Sequence, residues 1–169
     1  GAGVIEAVGD GVTDLTIGDR VAYVMTIGAY AQARVIPADR LVKLPDAIDD
    51  RTAAAMMLQG LTSRYLIRDV FPLKADDTIL VHAAAGGVGL ILCQWAAALG
   101  ATVIGTVSTD AKADLARKNG CHHVIVYTRE DFPTRLLEIT GGKKLPVVYD
   151  SVGKDTFMKS LDCLKPRGL

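Results

Sequence analysis

The feature that most constrains the fold is an alternation that begins at Asp77. Thr78 to His82 is a short apolar run that reads as a strand. Val88 to Leu99, apolar on most faces and ended by Gly100, reads as a helix. Thr102 to Val107 is a second strand, and Thr109 to Asn119, ended by Gly120, a second helix. His123 to Val126, Asp131 to Thr140 with Gly141-Gly142 behind it, Pro146 to Asp150, and Lys154 to Leu164 continue the order strand, helix, strand, helix. Strands joined by helices of roughly 10 to 15 residues make βαβ units and a parallel sheet. Right-handed crossovers then put helices on both faces. The expected fold class is α/β, with residues 77–169 forming part of a doubly wound parallel-sheet (Rossmann) domain.

The stretch before Asp77 reads differently. Val4 to Val8 alternates apolar and polar, and Gly9-Asp10-Gly11 follows as a turn. Gly18-Asp19 marks a second turn before a strand candidate at Arg20 to Met25. Gly28 precedes a third candidate at Ala29 to Ile36, and Pro37 and Pro45 bracket a short connector. Residues 1–48 are therefore expected to be part of a β-rich domain. Residues 49–76 are expected to be a connecting helical segment, capped by Asp49 or Asp50, running from Thr52 to Arg68 and interrupted at Gly60.

The chemistry concentrates in Ala84-Ala85-Gly86-Gly87-Val88-Gly89, between the first strand and first helix of the alternating part. This is the dinucleotide fingerprint with Ala in its first position. A pyrophosphate must approach backbone N–H groups at a helix N-terminus, where the dipole favours anions. A Cβ at Gly86 obstructs that approach, and Gly89 lets the helix pack closely on the sheet. A glycine triplet alone is weak evidence, and a Gly-rich turn without ligand is the plain alternative; the βαβ context supports the motif. NAD sites carry Asp or Glu at the end of the second strand. Counting 21 residues on from Gly86 reaches Val107 instead, followed by Ser108 and Lys112. A hydroxyl and an ammonium there suit a 2′-phosphate, which points to NADPH. Asp110 lies nearby and argues the other way, and Lys112 also reads as a solvated helix residue.

Composition excludes some classes. There are 19 basic and 19 acidic residues, so net charge is zero, which argues against a nucleic-acid or membrane-surface footprint. No run approaches the roughly 18 apolar residues of a membrane span, and no signal peptide stands at the start. Cys93, Cys121 and Cys163 are too few and too scattered for a zinc ribbon, and their odd number argues against a secreted disulfide framework. They read as small buried hydrophobes in a cytoplasmic protein. His122-His123 is a poor spacing for one tetrahedral site. No metal is expected. The chain opens on Gly1-Ala2-Gly3 without methionine and stops at Arg167-Gly168-Leu169, a turn signal that looks set to launch another strand. The expectation is a piece of a longer protein, lacking both ends.

The segment His82-Ala83-Ala84-Ala85-Gly86-Gly87-Val88-Gly89-Leu90, followed by Cys93-Gln94-Trp95-Ala96, resembles the zinc-free, zeta-crystallin-like quinone oxidoreductases of the medium-chain dehydrogenase/reductase superfamily. The similarity covers the whole chain. Gly1 to Gly9 and Gly18 to Val21 resemble the family's GroES-like catalytic domain. Leu58-Gln59-Gly60-Leu61-Thr62 resembles the segment that leads to the cofactor domain. Tyr149 to Gly153 and Ser160 to Leu164 resemble later family segments. The resemblance implies a 2′-phosphate held by Ser108, Lys112 and Tyr127. Gly is common at position 108 in the family, so Ser is a departure, although the backbone N–H still serves. Without the family, Tyr127 reads as a rim aromatic. The resemblance further implies Thr62 near the nicotinamide and Val152 beside a ribose. Met56 to Thr62, where the superfamily's last catalytic zinc ligand lies, contains no Cys, His, Asp or Glu.

The function expected is NADPH-dependent reduction of a small-molecule quinone without zinc, by a homodimer when full length, with this stretch alone inactive. The alternatives are NADPH-dependent reduction of an activated C=C bond, as in enone or enoyl reductases, and a non-catalytic nucleotide-binding or interaction role. No residue is assigned as catalytic, because the family's substrate-side tyrosine and asparagine fall outside this sequence.

Overall fold

The computed structural model describes residues 1–169, which form two compact units, Gly1–Leu61 and Thr62–Leu169. The boundary falls inside a helix.

The first unit holds a three-stranded antiparallel sheet in the order β1-β2-β3: β1 (Ala2–Val4), β2 (Arg20–Ala22) and β3 (Val42–Lys43). β1 ends where Val4–Val8 was expected to begin as a strand. Past it, pairing persists only through Ile5 N–H to Asp19 O (3.0 Å) and Gly18 N–H to Ile5 O (2.9 Å), which close an irregular turn. β2 stops at Ala22, and Met25 has a φ of 62°, outside extended backbone. The expected strand Ala29–Ile36 does not form, and Val35 is 97% exposed. Alternation describes a half-buried strand only where a neighbour supplies hydrogen bonds and cover. On the side of β2 away from β1, the residues that pair with it are instead Val42 and Lys43, inside the presumed connector.

Helix α1 (Asp50–Tyr65) is capped by Asp49, whose carboxylate accepts from Thr52 N–H at 2.9 Å and from its hydroxyl at 2.7 Å. Gly60 does not interrupt it. A Cβ there would meet only Met56 Cε, at 3.5 Å. The helix ends in one wide turn, Leu66–Val70, closed by Phe71 N–H to Leu66 O at 3.1 Å.

The second unit follows the alternating pattern closely. Its elements are β4 (Thr78–Val81), α2 (Gly87–Ala98), β5 (Thr102–Val107), α3 (Asp110–Lys118), β6 (His123–Val126), α4 (Phe132–Thr140), β7 (Val147–Tyr149) and α5 (Phe157–Cys163). Thr109 and Asp131, expected as first helical residues, are caps instead; they accept from Lys112 N–H and Thr134 N–H. The last helix starts at Phe157, because Lys154 to Thr156 belong to a turn held by Asp150. All four strands are parallel, in the order β6-β5-β4-β7. The chain reverses its direction of sheet growth beside β4, and in such sheets ligands bind outside the carboxyl ends of the strands at that point.

Both faces of this sheet are covered. On one, Ile79, Val81, Val103 and Val107 pack with Leu92, Cys93 and Ala96 of α2 and Ala113 and Ala116 of α3. On the other, Leu80, Ile104 and Ile125 pack with Phe132 and Leu136 of α4 and Cys163 of α5. Each fully buried Ile, Leu or Phe contributes roughly 1.5–3 kcal/mol. Gly105 allows the turn after β4 to approach β5, since a Cβ there would lie 2.6 Å from Ala84 Cβ. The carboxyl ends of the strands are thereby held on a rigid base.

Candidate cofactor site

Each strand of the parallel sheet sends the segment at or beyond its carboxyl end to one cleft of about 150 Å³. Ala83, Ala85 and Gly86 come from β4, Val107, Ser108 and Lys112 from β5 and the start of α3, Tyr127 from β6, and Val152 from β7. Six residues singled out from the sequence therefore meet: Ala85, Gly86, Ser108, Lys112, Tyr127 and Val152. Gly87, Val88 and Gly89 form the first turn of α2 beside them. Thr62 is not in the cleft's lining. It is half-buried on α1, and its neighbour Ser63 donates to Val88 O at 3.4 Å.

The amino end of α2 is built for an anion. Its cap is Gly86, which offers no side-chain acceptor, and no acid lies in the first turn. The first N–H groups of any helix lack intrahelical partners, so here they point outward uncapped. Gly86 is tight as well as open: a Cβ would lie 3.1 Å from Ala83 O. At Gly89 a Cβ would lie 2.8 Å from both Ala84 Cα and Ala84 O, which ties α2 to the turn beneath it.

The amino end of α3 is different. Thr109 caps it, Lys112 Nζ donates to Ser108 Oγ at 3.2 Å, and Thr128 Oγ1 donates to Ser108 O at 3.1 Å. Tyr127 N–H donates to Val107 O at 3.1 Å, while half its side-chain-bearing surface stays exposed. Val107 is buried and brings no carboxylate to the rim. Asp110, the one acid here, is gripped by both terminal nitrogens of Arg129, with Nη1 to Oδ2 at 2.8 Å. That guanidinium holds the Asp110 carboxyl below its ordinary range.

Behind the loop runs a buried polar chain that the sequence reading passed over. His82 Nδ1 lies 2.8 Å from Thr106 Oγ1, and its Nε2 lies 3.0 Å from Ser160 Oγ. Ser160 Oγ donates to Asp150 Oδ2 at 2.9 Å. Asp150 Oδ1 accepts from the N–H groups of Val152 and Gly153, each at 2.9 Å, and from Thr156 Oγ1 at 2.8 Å. Burial pushes the His82 imidazole below its ordinary pKa, against the pull of Asp150. Burial alone would raise the Asp150 carboxyl; its hydrogen bonds outweigh that and hold it down. The chain fixes the Val152 turn relative to the phosphate loop. Its members lie 24 and 78 residues apart, so the one local signal was a histidine at the end of an apolar strand.

The cleft suits one end of a dinucleotide. Pockets that enclose drug-sized ligands start near 300 Å³. An uncapped helix end, a glycine at the point of approach and an ammonium on the next loop provide for a pyrophosphate and a further phosphate. No group of three or more His, Cys, Asp or Glu side chains comes together in a way that holds a metal ion. Cys93, Cys121 and Cys163 are buried free thiols. No helix is long and apolar enough to cross a membrane.

Comparison with known proteins agrees with this architecture. The alcohol dehydrogenase GroES-like domain family matches residues 1–46, and the zinc-binding dehydrogenase family matches residues 87–169. A quinone oxidoreductase of Pseudomonas aeruginosa is 57% identical over all of this chain and 52% of its own length. A 2-haloacrylate reductase of a Burkholderia species is 54% identical over 99% of this chain and 51% of its own. The crystal structure of Escherichia coli quinone oxidoreductase complexed with NADPH superimposes with a TM-score of 0.96 at 55% identity, covering 99% of this chain and 52% of that one. The chain thus spans about half the length of the relatives it matches. Two domain-family matches in this order, together with the fingerprint on the parallel sheet, make the chain similar over nearly its whole length to quinone oxidoreductases of the medium-chain dehydrogenase/reductase superfamily.

Proposed function

We propose that this chain carries the NADPH-binding part of an NADPH-dependent quinone reductase. The observation that carries the reading is the convergence of Gly86, Ser108, Lys112 and Tyr127 on one cleft whose second strand ends in Val107 rather than an acid. The NADPH complex of the 55% identical Escherichia coli protein supports it. In this reading Ala85, Gly86, Gly87, Val88 and Gly89 receive the pyrophosphate on backbone N–H groups. Ser108, Lys112 and Tyr127 hold the 2′-phosphate, Val152 packs beside a ribose, and Thr62 stands toward the nicotinamide. When bound, the nicotinamide supplies the hydride; the chain's own residues bind and orient it. The domain reading remains residues 1–48 as GroES-like, 49–76 as connector and 77–169 as cofactor-binding.

A second reading is favoured by one specific finding, the 54% identical 2-haloacrylate reductase. Reduction of an activated C=C bond uses the same cofactor site and differs in the acceptor. Three buried free thiols support a cytoplasmic location, and family resemblance supports a homodimer. The test is calorimetric titration of NADPH and NADH into the full protein, then NADPH oxidation with a quinone and an enone panel. Tighter binding of NADPH, with turnover of quinones, is expected. Equal dissociation constants overturn the cofactor reading, and turnover of enones alone favours the second reading.

A further inference from the structure

Asp110 is an acid at the wrong place for a phosphate site. It is the first residue of α3, on the rim that carries Ser108 and Lys112. A carboxylate there is favoured by the helix dipole and competes with any phosphate for the same positive end. It also stands close to where NAD-type sites keep the acid that accepts from a ribose hydroxyl.

The turn after β6 answers it. Arg129 is placed by its N–H bond to Val126 O at 3.0 Å, two residues beyond Tyr127. Its guanidinium meets Asp110 end-on, its two terminal nitrogens on the two carboxylate oxygens. This fork-to-fork pairing fixes direction as well as charge. The other cation acting on Asp110, Arg117, is engaged by Asp114 at 3.1 Å. Arg129 is thus the group that both cancels the Asp110 charge and turns its oxygens away from other donors.

We propose that Arg129 is a specificity-determining positioning residue. It clamps Asp110, so that the rim presents Lys112 to a 2′-phosphate and withholds a carboxylate from a ribose hydroxyl. The inference rests on the cofactor reading above and adds to it a reason why an acid is tolerated at this rim. As an exposed pair it adds little to folding; its effect lies in the local field.

The test is calorimetric titration of NADPH, NADH and 2′,5′-ADP into the full protein, with Arg129→Ala, Arg129→Lys and the double variant Asp110→Asn with Arg129→Ala. Arg129→Ala is expected to weaken NADPH and 2′,5′-ADP roughly three- to tenfold, the scale of a unit charge acting through water-exposed surface. NADH should hold or tighten. Arg129→Lys, with the charge but not the fork, should recover part of the loss. The double variant should return NADPH to within about twofold of wild type, because the acid that needed clamping is gone. A double variant as weak as Arg129→Ala overturns the proposal, since Arg129 then binds the phosphate itself. Unchanged NADPH binding, or an equal loss for NADH, in Arg129→Ala overturns it too. In both of those cases a wild type that prefers NADPH leaves the cofactor reading standing. A wild type without that preference overturns the cofactor reading first.

Discussion

α2 and α3 begin at the same rim of the parallel sheet and present opposite surfaces to the cleft. α2 opens on Gly86 with no capping side chain and no charge in its first turn. α3 opens on Thr109, which satisfies Lys112 N–H, and carries Asp110 and Lys112 in that turn. One helix end has no side-chain cap; the other caps one backbone donor and carries charged side chains. In the proposed reading the first arrangement serves what all dinucleotides share, and the second what distinguishes them.

The contrast is broken most severely at Gly86. Gly86→Val puts an isopropyl group where the pyrophosphate approaches and should weaken NADPH and NADH alike by more than about 100-fold, near the limit of detection. Calorimetry reads the loss, and circular dichroism should show a folded chain, because the cap residue's backbone is extended (φ −82°, ψ 172°) and Ala83 O, 3.1 Å from the added Cβ, has to give by only a few tenths of an ångström. Unequal losses for the two cofactors would contradict a shared role.

Lys112→Ala acts at the other end and should separate the cofactors. Hydrogen bonds to charged groups contribute about 1.5–3 kcal/mol, so NADPH should weaken roughly 10- to 100-fold while NADH barely moves. Raising the salt should imitate part of the effect. Removal of Thr109's hydroxyl sharpens the contrast from the stability side: Thr109→Ala should cost about 1 kcal/mol in unfolding free energy and leave affinity for both cofactors within about twofold.

The smallest effect is a slope with pH. His82 has a folded pKa below its unfolded value of about 6.5. The unfolded chain therefore binds the proton first as pH falls, and the stability contributed by neutral His82 is present above that value and lost below it. Asp110 and Asp150 carry depressed pKa values too, but their contributions are lost only in more acidic solution, below about pH 4. Urea midpoints at pH 7, 6 and 5 should fall for wild type and fall less for His82→Gln. A parallel fall in both proteins would remove His82 as the cause.

The parallel sheet was legible in the sequence because its strands are buried on both faces and punctuated by glycine. The bounds of β5 and β6 coincide with their apolar runs, and Gly141 ends α4 in the left-handed conformation, with φ 62°. In the antiparallel unit the same reasoning failed at Ala29–Ile36. There the candidate run lacks a strand to pair with, and the second partner of β2, beside β1, is a two-residue segment too short to carry a period. The phosphate loop was legible for a local reason, since its chemistry is backbone and needs glycine in sequence. The clamp on Asp110 and the chain from Thr106 through His82 and Ser160 to Asp150 were not. Their members are brought together by crossovers that leave no mark near either residue.

The cleft is lined by residues at or beyond the ends of four strands, and its charged groups belong to none of them. Lys112, Asp110 and Arg129 can change without disturbing a single buried side chain of the sheet. In the proposed reading cofactor choice is consequently a separable trait, set by a few exposed positions, while the glycines beside them hold the common part of the ligand.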